Sequence, residues 1–150
     1  MNKVFYQSSL VKFVRSKKGK ALDLASGNET FVNLLLKNHW YVDSVDLKKK
    51  NCFHKKNYSF NQIDLEKTKL SKIKRKLALR KYDLIILFRF LHRPLLRIIP
   101  LLMKKNGLFF CETFMIQNGE GKLNTKKNMG GTQIVLMNLK DSLWRIVFIL

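Results

Sequence analysis

Cysteine, proline and acidic residues are all scarce in this chain, and each shortage removes a class of protein. The two cysteines, Cys52 and Cys111, lie too far apart to frame a disulfide scaffold or to suggest a zinc ligand pair. His39 and His54 supply no ligand spacing either, so no metal is expected. Two prolines and seven glycines in 150 residues exclude collagenous and low-complexity chains. Apolar runs stay short. Leu84–Phe88 and Ile146–Leu150 fall far below the roughly 20 residues of a membrane span, and no signal-peptide core opens the chain, so a cytoplasmic setting is expected.

What is abundant is apolar and basic. With 46% apolar residues the chain can build an ordinary globular core, and its length suits one domain, 1–150, with a core over about 8–116 and a tail over 117–150. Thirty Lys plus Arg against ten Asp plus Glu give a net charge of +20, which favours polyanions such as nucleic acid or anionic membrane surfaces. Abundant Lys, Asn, Ile and Phe are also what an A+T-rich coding sequence produces, so much of the lysine is expected to be solvated surface.

Along the chain, helix-like and strand-like periodicities alternate, which predicts an α/β fold with a mostly parallel sheet. A helix is expected over Ser8–Arg15 and a break at Lys17–Lys20. A strand then covers Lys20–Ala25, a helix Glu29–Asn38 and a second strand Tyr41–Leu47. Lys48–Lys56 is a basic connection. A third strand over Tyr58–Leu65 leads to a helix over Lys69–Arg80, whose Leu70, Ile73 and Leu77 share one face. Tyr82–Phe90 is apolar without alternation, as suits a central strand covered on both faces. Pro94 opens a helix over Leu95–Lys105 that Pro100 should kink and Asn106-Gly107 should stop. Leu108–Phe114 makes a fifth strand. Beyond Met115 the glycines Gly119, Gly121, Gly130 and Gly131 suggest a long loop. Thr132–Leu139 reads as strand or helix and Trp144–Leu150 as a closing strand.

Chemistry concentrates at the carboxyl ends of the expected strands. Asp23-Leu-Ala-Ser-Gly-Asn turns from strand into helix through small residues, which lets a nucleotide approach the backbone and adds amide donors from the helix start. Gly27 alone cannot satisfy G-x-G-x-x-G, so a pyrophosphate cofactor and a nicotinamide oxidoreductase are disfavoured. Asp46, 23 residues after Asp23, ends the second strand, where a carboxylate can accept both hydroxyls of a ribose. Asp64 repeats the arrangement at the third strand. Three acids at that edge are notable in a chain so poor in them.

These residues resemble the cofactor motif of class I S-adenosylmethionine (SAM)-dependent methyltransferases. Tyr82-Asp-Leu-Ile-Ile-Leu-Phe-Arg-Phe-Leu-His-Arg-Pro-Leu resembles the fourth strand and its loop in small bacterial members, including the tellurite-resistance type, and Gly107-Leu-Phe-Phe-Cys-Glu-Thr-Phe the fifth strand. The resemblance implies a Rossmann-like doubly wound sheet flanked by helices. It implies SAM as cofactor, held by Asp23, Ala25, Ser26, Gly27, Asn28, Asp46, Leu47, Asp64, Leu65 and Phe88. Asp46 would meet the ribose and Asp64 the adenine amino group. The methyl acceptor is expected to be a small molecule; the alternatives are an RNA methyltransferase or nucleic-acid-binding protein that uses Lys67–Lys81 and Lys48–Lys56 as an electrostatic track, and a degenerate, non-catalytic domain of this kind. Arg89 and Arg93 are candidates to hold an anionic substrate, and His92 and Glu112 to take its proton. Two departures stand out. Glu29 occupies the place of the motif's last glycine, and only Trp144–Leu150 resembles one of the antiparallel strands that complete the family's domain, so the fold is expected to be truncated there.

Overall fold

The structure, a computed structural model, describes residues 3–48, 55–77, 80–116, 129–140 and 143–149, with side chains described over 10–48, 55–77 and 80–112. Five parallel strands form its centre: β1 (Lys20–Leu24), β2 (Tyr41–Asp46), β3 (Tyr58–Gln62), β4 (Tyr82–Phe88) and β5 (Met103–Ile116). Strands β6 (Met129–Lys140) and β7 (Leu143–Ile149) add on antiparallel, giving the sheet order β3-β2-β1-β4-β5-β6-β7.

Helices lie on both faces, because parallel strands need crossovers and each crossover covers a face. Against one face pack α1 (Lys3–Ser16) and α2 (Thr30–Lys37), through Leu10, Val14, Phe31, Val32 and Leu35 onto Ala21, Val42, Leu84, Ile86 and Phe110. Against the other pack α3 (Leu70–Leu77), α4 (Arg93–Leu96) and α5 (Ile99–Leu102), through Ile73, Leu77, Leu95, Ile99 and Leu102 onto Leu22, Leu24, Ile85, Leu87 and Phe109. The period of two along β1 and β4 thus sorts alternate residues into two cores, the doubly wound arrangement. Trp40, fully buried, fastens α1 by donating its Nε1–H to the Val14 carbonyl at 3.0 Å.

A polar cluster is buried under the α3 side. Asp43, 3% exposed, accepts from the Tyr82 hydroxyl at 2.7 Å and from Arg80 at 3.2 Å, with Lys20 Nζ at 3.4 Å. Burial and then the hydrogen bond to Asp43 hold the Tyr82 hydroxyl well above the usual tyrosine range.

Several elements differ from expectation. The helix expected over Leu95–Lys105 is two short helices, α4 and α5, with Pro100 at the start of the second. Proline removes one donor and clashes with the preceding turn, so the expected kink becomes a break. Met103 already pairs with Tyr82, after which the register shifts, and Asn106-Gly107 sits inside that irregularity, with Asn106 at φ 63°, rather than at a helix end. Thr132–Leu139 lies within β6, and β6 pairs with β5 and with β7, so an antiparallel strand pair is present where truncation was expected. The connection around Cys52, Phe53 and His54 and the segment around Gly119 and Gly121 lie outside the described residues. No helix among the described residues is long and apolar enough to cross a membrane.

Candidate functional site

The strand order reverses between β1 and β4. There the crossovers leave to opposite sides and a crevice opens beyond the carboxyl ends of the two strands. A cavity of about 550 Å3 occupies that position, within the roughly 300–1,000 Å3 range of cofactor and small-molecule sites. Asp23, Ala25, Ser26, Gly27 and Asn28 line it from the β1 side, and Phe88 and Arg89 from the β4 side.

The β1 turn is tightly wound. Ala25, Gly27 and Glu29 all have left-handed backbones, at φ 57°, 51° and 62°. Such a conformation suits glycine and costs other residues on the order of 1 kcal/mol or more. External bonds hold it. Ser26 N–H donates to the Val45 carbonyl at 3.1 Å, and Gly27 N–H donates to the Asp46 carboxylate at 2.7 Å. The other Asp46 oxygen accepts from Lys48 N–H at 3.0 Å. Asp46 therefore ties the end of β2 to the turn after β1. A carboxylate offers about four lone-pair sites, so this half-buried group keeps capacity for further donors.

Glu29 is not among the residues that line the cavity. It accepts a hydrogen bond from the Tyr58 hydroxyl, whose oxygen is also 2.8 Å from the Ser44 hydroxyl. The Glu29 carboxylate is thus engaged by Tyr58 of β3, itself bonded to Ser44 of β2, and α2 starts directly after Glu29.

Two walls of the cavity are aromatic. Phe31 meets Phe88 edge to face with centroids 4.9 Å apart, and the Arg89 guanidinium lies 4.9 Å from the Phe88 ring. Arg89, itself left-handed at φ 54°, donates its N–H to the Glu112 carbonyl at 2.7 Å, and its Nε is 3.8 Å from the Glu112 carboxylate. Buried Glu112 and half-exposed Arg89 therefore form a pair at the edge of β4 and β5. Next to them the buried Cys111 thiol is pushed up to about 11 by burial and by the neighbouring Glu112.

The remaining expected site residues sit elsewhere. Asp64 follows β3 and accepts from Glu66 and Lys67 N–H at 3.0 and 2.9 Å, closing a turn. Leu65 is buried in the core under α3, and Leu47 is 60% exposed. His92 precedes α4 and Arg93 begins it; neither lines the cavity. Conversely Thr30, Phe31 and Phe90 line it although the sequence reading passed over them. Phe31 has the apolar signature of a core position and fills that role too, so residue type alone did not distinguish it.

A SAM-dependent methyltransferase from Agrobacterium tumefaciens superimposes with a TM-score of 0.56 at 16% identity, covering 75% of this chain and 45% of that one. The 1,6-didemethyltoxoflavin-N1-methyltransferase of Burkholderia thailandensis, solved with bound 1,6-didemethyltoxoflavin and S-adenosylhomocysteine, matches with a TM-score of 0.54 at 13% identity, over 97% of this chain and 61% of that one. The fold is that of the SAM-dependent methyltransferases. A Streptococcus mutans protein solved in complex with SAH also shares this methyltransferase fold, with 0.59 at 15% identity over 92% of this chain and 99% of that one. The chain spans about half to three fifths of the length of the first two. No protein-family model and no curated protein matches the sequence.

Proposed function

We propose that the chain binds SAM in the cavity at the β1–β4 reversal and transfers its methyl group to a small acceptor. One observation carries this reading: the turn that the motif resemblance singles out lines a cavity of cofactor size at the switch point of a methyltransferase fold. The residues present fit the cofactor. The Ser26 hydroxyl is buried with no hydrogen-bond partner among the described residues, a cost that a polar ligand would remove. Gly27 and Asn28 are exposed at the cavity, and Asp46 has lone pairs left for ribose hydroxyls.

When bound, SAM would supply an electrophilic methyl on a sulfonium leaving group. The protein's part is then to position and to exclude water. Asp23, Ser26 and the Gly27-Asn28 backbone would hold the polar parts, with Asp46 on the ribose. The Phe31–Phe88 wall would keep water from the methyl. Arg89 would orient an anionic acceptor by a charge-assisted hydrogen bond, with Arg93 on the following helix as a second cation. An acceptor that takes the methyl group would give up its proton to a base on this chain. Glu112, paired with the cavity-lining Arg89, and His92 are the two candidates for that base.

Isothermal titration with SAM and with S-adenosylhomocysteine tests the reading. Binding in the micromolar range is the expected result, and no heat at millimolar ligand would overturn it.

A further inference from the structure

The excess of basic residues in the sequence becomes, in the fold, an almost unopposed surface. Of the acids with described side chains, Asp23, Asp43 and Glu112 are buried. Glu29, Asp46, Asp64 and Asp83 are half-buried, and each accepts a hydrogen bond. Glu66 alone is exposed. Folding therefore withdraws negative charge from the surface and leaves the lysines and arginines on it.

The density is highest along α3. Lys69, Lys72, Lys74, Arg75, Lys76 and Lys81 are exposed within a stretch where Ile73 and Leu77 face the core. Lys72, Arg75 and Lys76 are spaced i, i+3 and i+4, so their side chains are neighbours on the outward side of one helix. Like charges at those spacings destabilise a helix, and no acid lies between Glu66 and Arg80 to offset them. A polyanion laid along the helix would relieve that repulsion. We propose that the outer face of α3 is a nucleic-acid-binding surface that tracks a phosphate backbone through Lys72, Arg75 and Lys76, with Lys69 and Lys81 at its two ends.

Nucleic acid fits this face better than a lipid surface does. An amphipathic helix that lies in a membrane needs apolar side chains to insert, and those of α3 are committed to the core. Among the described residues, the exposed large apolar side chains, Tyr41, Leu47, Leu91 and Leu101, all lie outside α3. Nor does the face carry exposed aromatics on which bases could stack. The contact is therefore with phosphates and tolerant of sequence. Helix α3 follows β3 and precedes β4, so it begins at the edge of the sheet where the cavity opens and leads away from it.

Fluorescence anisotropy of the 150-residue chain with labelled short single-stranded RNA and with duplex DNA, at stepped potassium chloride, tests the surface without reference to methyl transfer. Affinity should fall steeply with salt. The K72E/R75E/K76E variant should lose at least about tenfold in affinity, and its salt slope should shrink by roughly 2 to 3, since each phosphate contact contributes about 0.7–0.9. The K12E/K17E/K18E variant carries the same charge change on the opposite face of the sheet and should bind within about twofold of the parent. Far-UV circular dichroism checks both folds, and K72Q/R75Q/K76Q replaces the reversal if that variant fails to fold. Equal losses in the two triple variants would overturn the proposal by showing bulk charge rather than a site. Salt-insensitive or undetectable binding to both probes would overturn it too, as would retention on phosphatidylserine vesicles without binding to either nucleic acid. Its failure leaves the SAM titration untouched, and the reverse also holds.

Discussion

The Asp46 carboxylate receives the Gly27 N–H at 2.7 Å, so the end of β2 fixes the shape of the turn that follows β1. The two segments are 19 residues apart in sequence, and this bond makes one unit of them. A carboxylate already held by the turn is preorganised to meet hydroxyls arriving above it, because no side-chain freedom remains to be lost on binding.

Replacing Asp46 by alanine should therefore weaken SAM and S-adenosylhomocysteine binding by about 10- to 100-fold, the loss expected for charge-assisted hydrogen bonds of about 1.5–3 kcal/mol. Asparagine at the same position retains one acceptor oxygen and should fall between. Calorimetric titration of the three proteins decides, and unchanged affinity in the alanine variant would remove Asp46 from the site.

At Glu29 two opposed effects can be separated. Alanine loses the bond to Tyr58 but keeps the left-handed backbone strain, whereas glycine loses the bond and relieves the strain. Glu29→Gly should thus be more stable than Glu29→Ala by about 1 kcal/mol, or roughly 2–4 °C in Tm for a chain of this size. Tyr58→Phe should also lower Tm, since it removes the same hydrogen bond and the contact to Ser44. Thermal melts followed by circular dichroism read all three, and an alanine variant as stable as the glycine one would contradict the strain.

Gly107 lies where β5 shifts register, and a Cβ there would stand 2.9 Å from the Lys104 carbonyl oxygen and 3.1 Å from that of Tyr82. Backbone atoms cannot step aside as a flexible side chain can. Gly107→Ala should accordingly cost about 1–3 kcal/mol, the range for overpacking a close contact. Urea unfolding gives the number, and a neutral result would mean that the irregularity shifts freely.

Burial of Cys111 predicts a silent thiol. With its ionisation pushed up to about 11, little thiolate exists at pH 8 in the folded state. A Cys52→Ser variant, which leaves Cys111 as the single cysteine, should react with a disulfide reagent at pH 8 much more slowly when native than when unfolded in guanidinium. The folded value is raised, so the folded chain holds this proton more tightly than the unfolded one. The stability linked to it is present below about pH 9 and is lost as pH rises toward 11. Fast native labelling would contradict the burial.

Most of the fold was legible because apolar periodicity and parallel-strand burial agree over Lys20–Phe88. β4 is apolar enough to be central, β3 alternates apolar and polar residues and takes the edge of the sheet, and each of α2 and α3 shows one inward face. The reading failed where pairing, rather than pattern, decides. Met103–Lys105 has no strand signature of its own and becomes strand through its pairing with Tyr82. Thr132–Leu139 left helix and strand undecided until β5 supplied a partner.

The candidate site was legible in its residues but not in its conformations. Asp23, Ser26, Gly27 and Phe88, which the motif resemblance singles out, line the cavity, whereas Asp46, Asp64, His92 and Glu112 are not among its lining residues. Nothing in the identity of Ala25 or Glu29 signals a left-handed backbone, however, and nothing in that of Glu29 foretells that Tyr58 would draw its carboxylate aside.

Trp40 sits fully buried where α2 passes into β2, with its indole N–H bonded to Val14 of α1 and its ring 6.2 Å from that of Phe13. The residue that seats the first helix is thus also an optical reporter on that helix. Detachment of α1 would admit water to the indole and shift its emission to longer wavelength. In a Trp144→Phe background this single tryptophan would follow the docking of the N-terminal helix separately from loss of the sheet, in real time and without any added label.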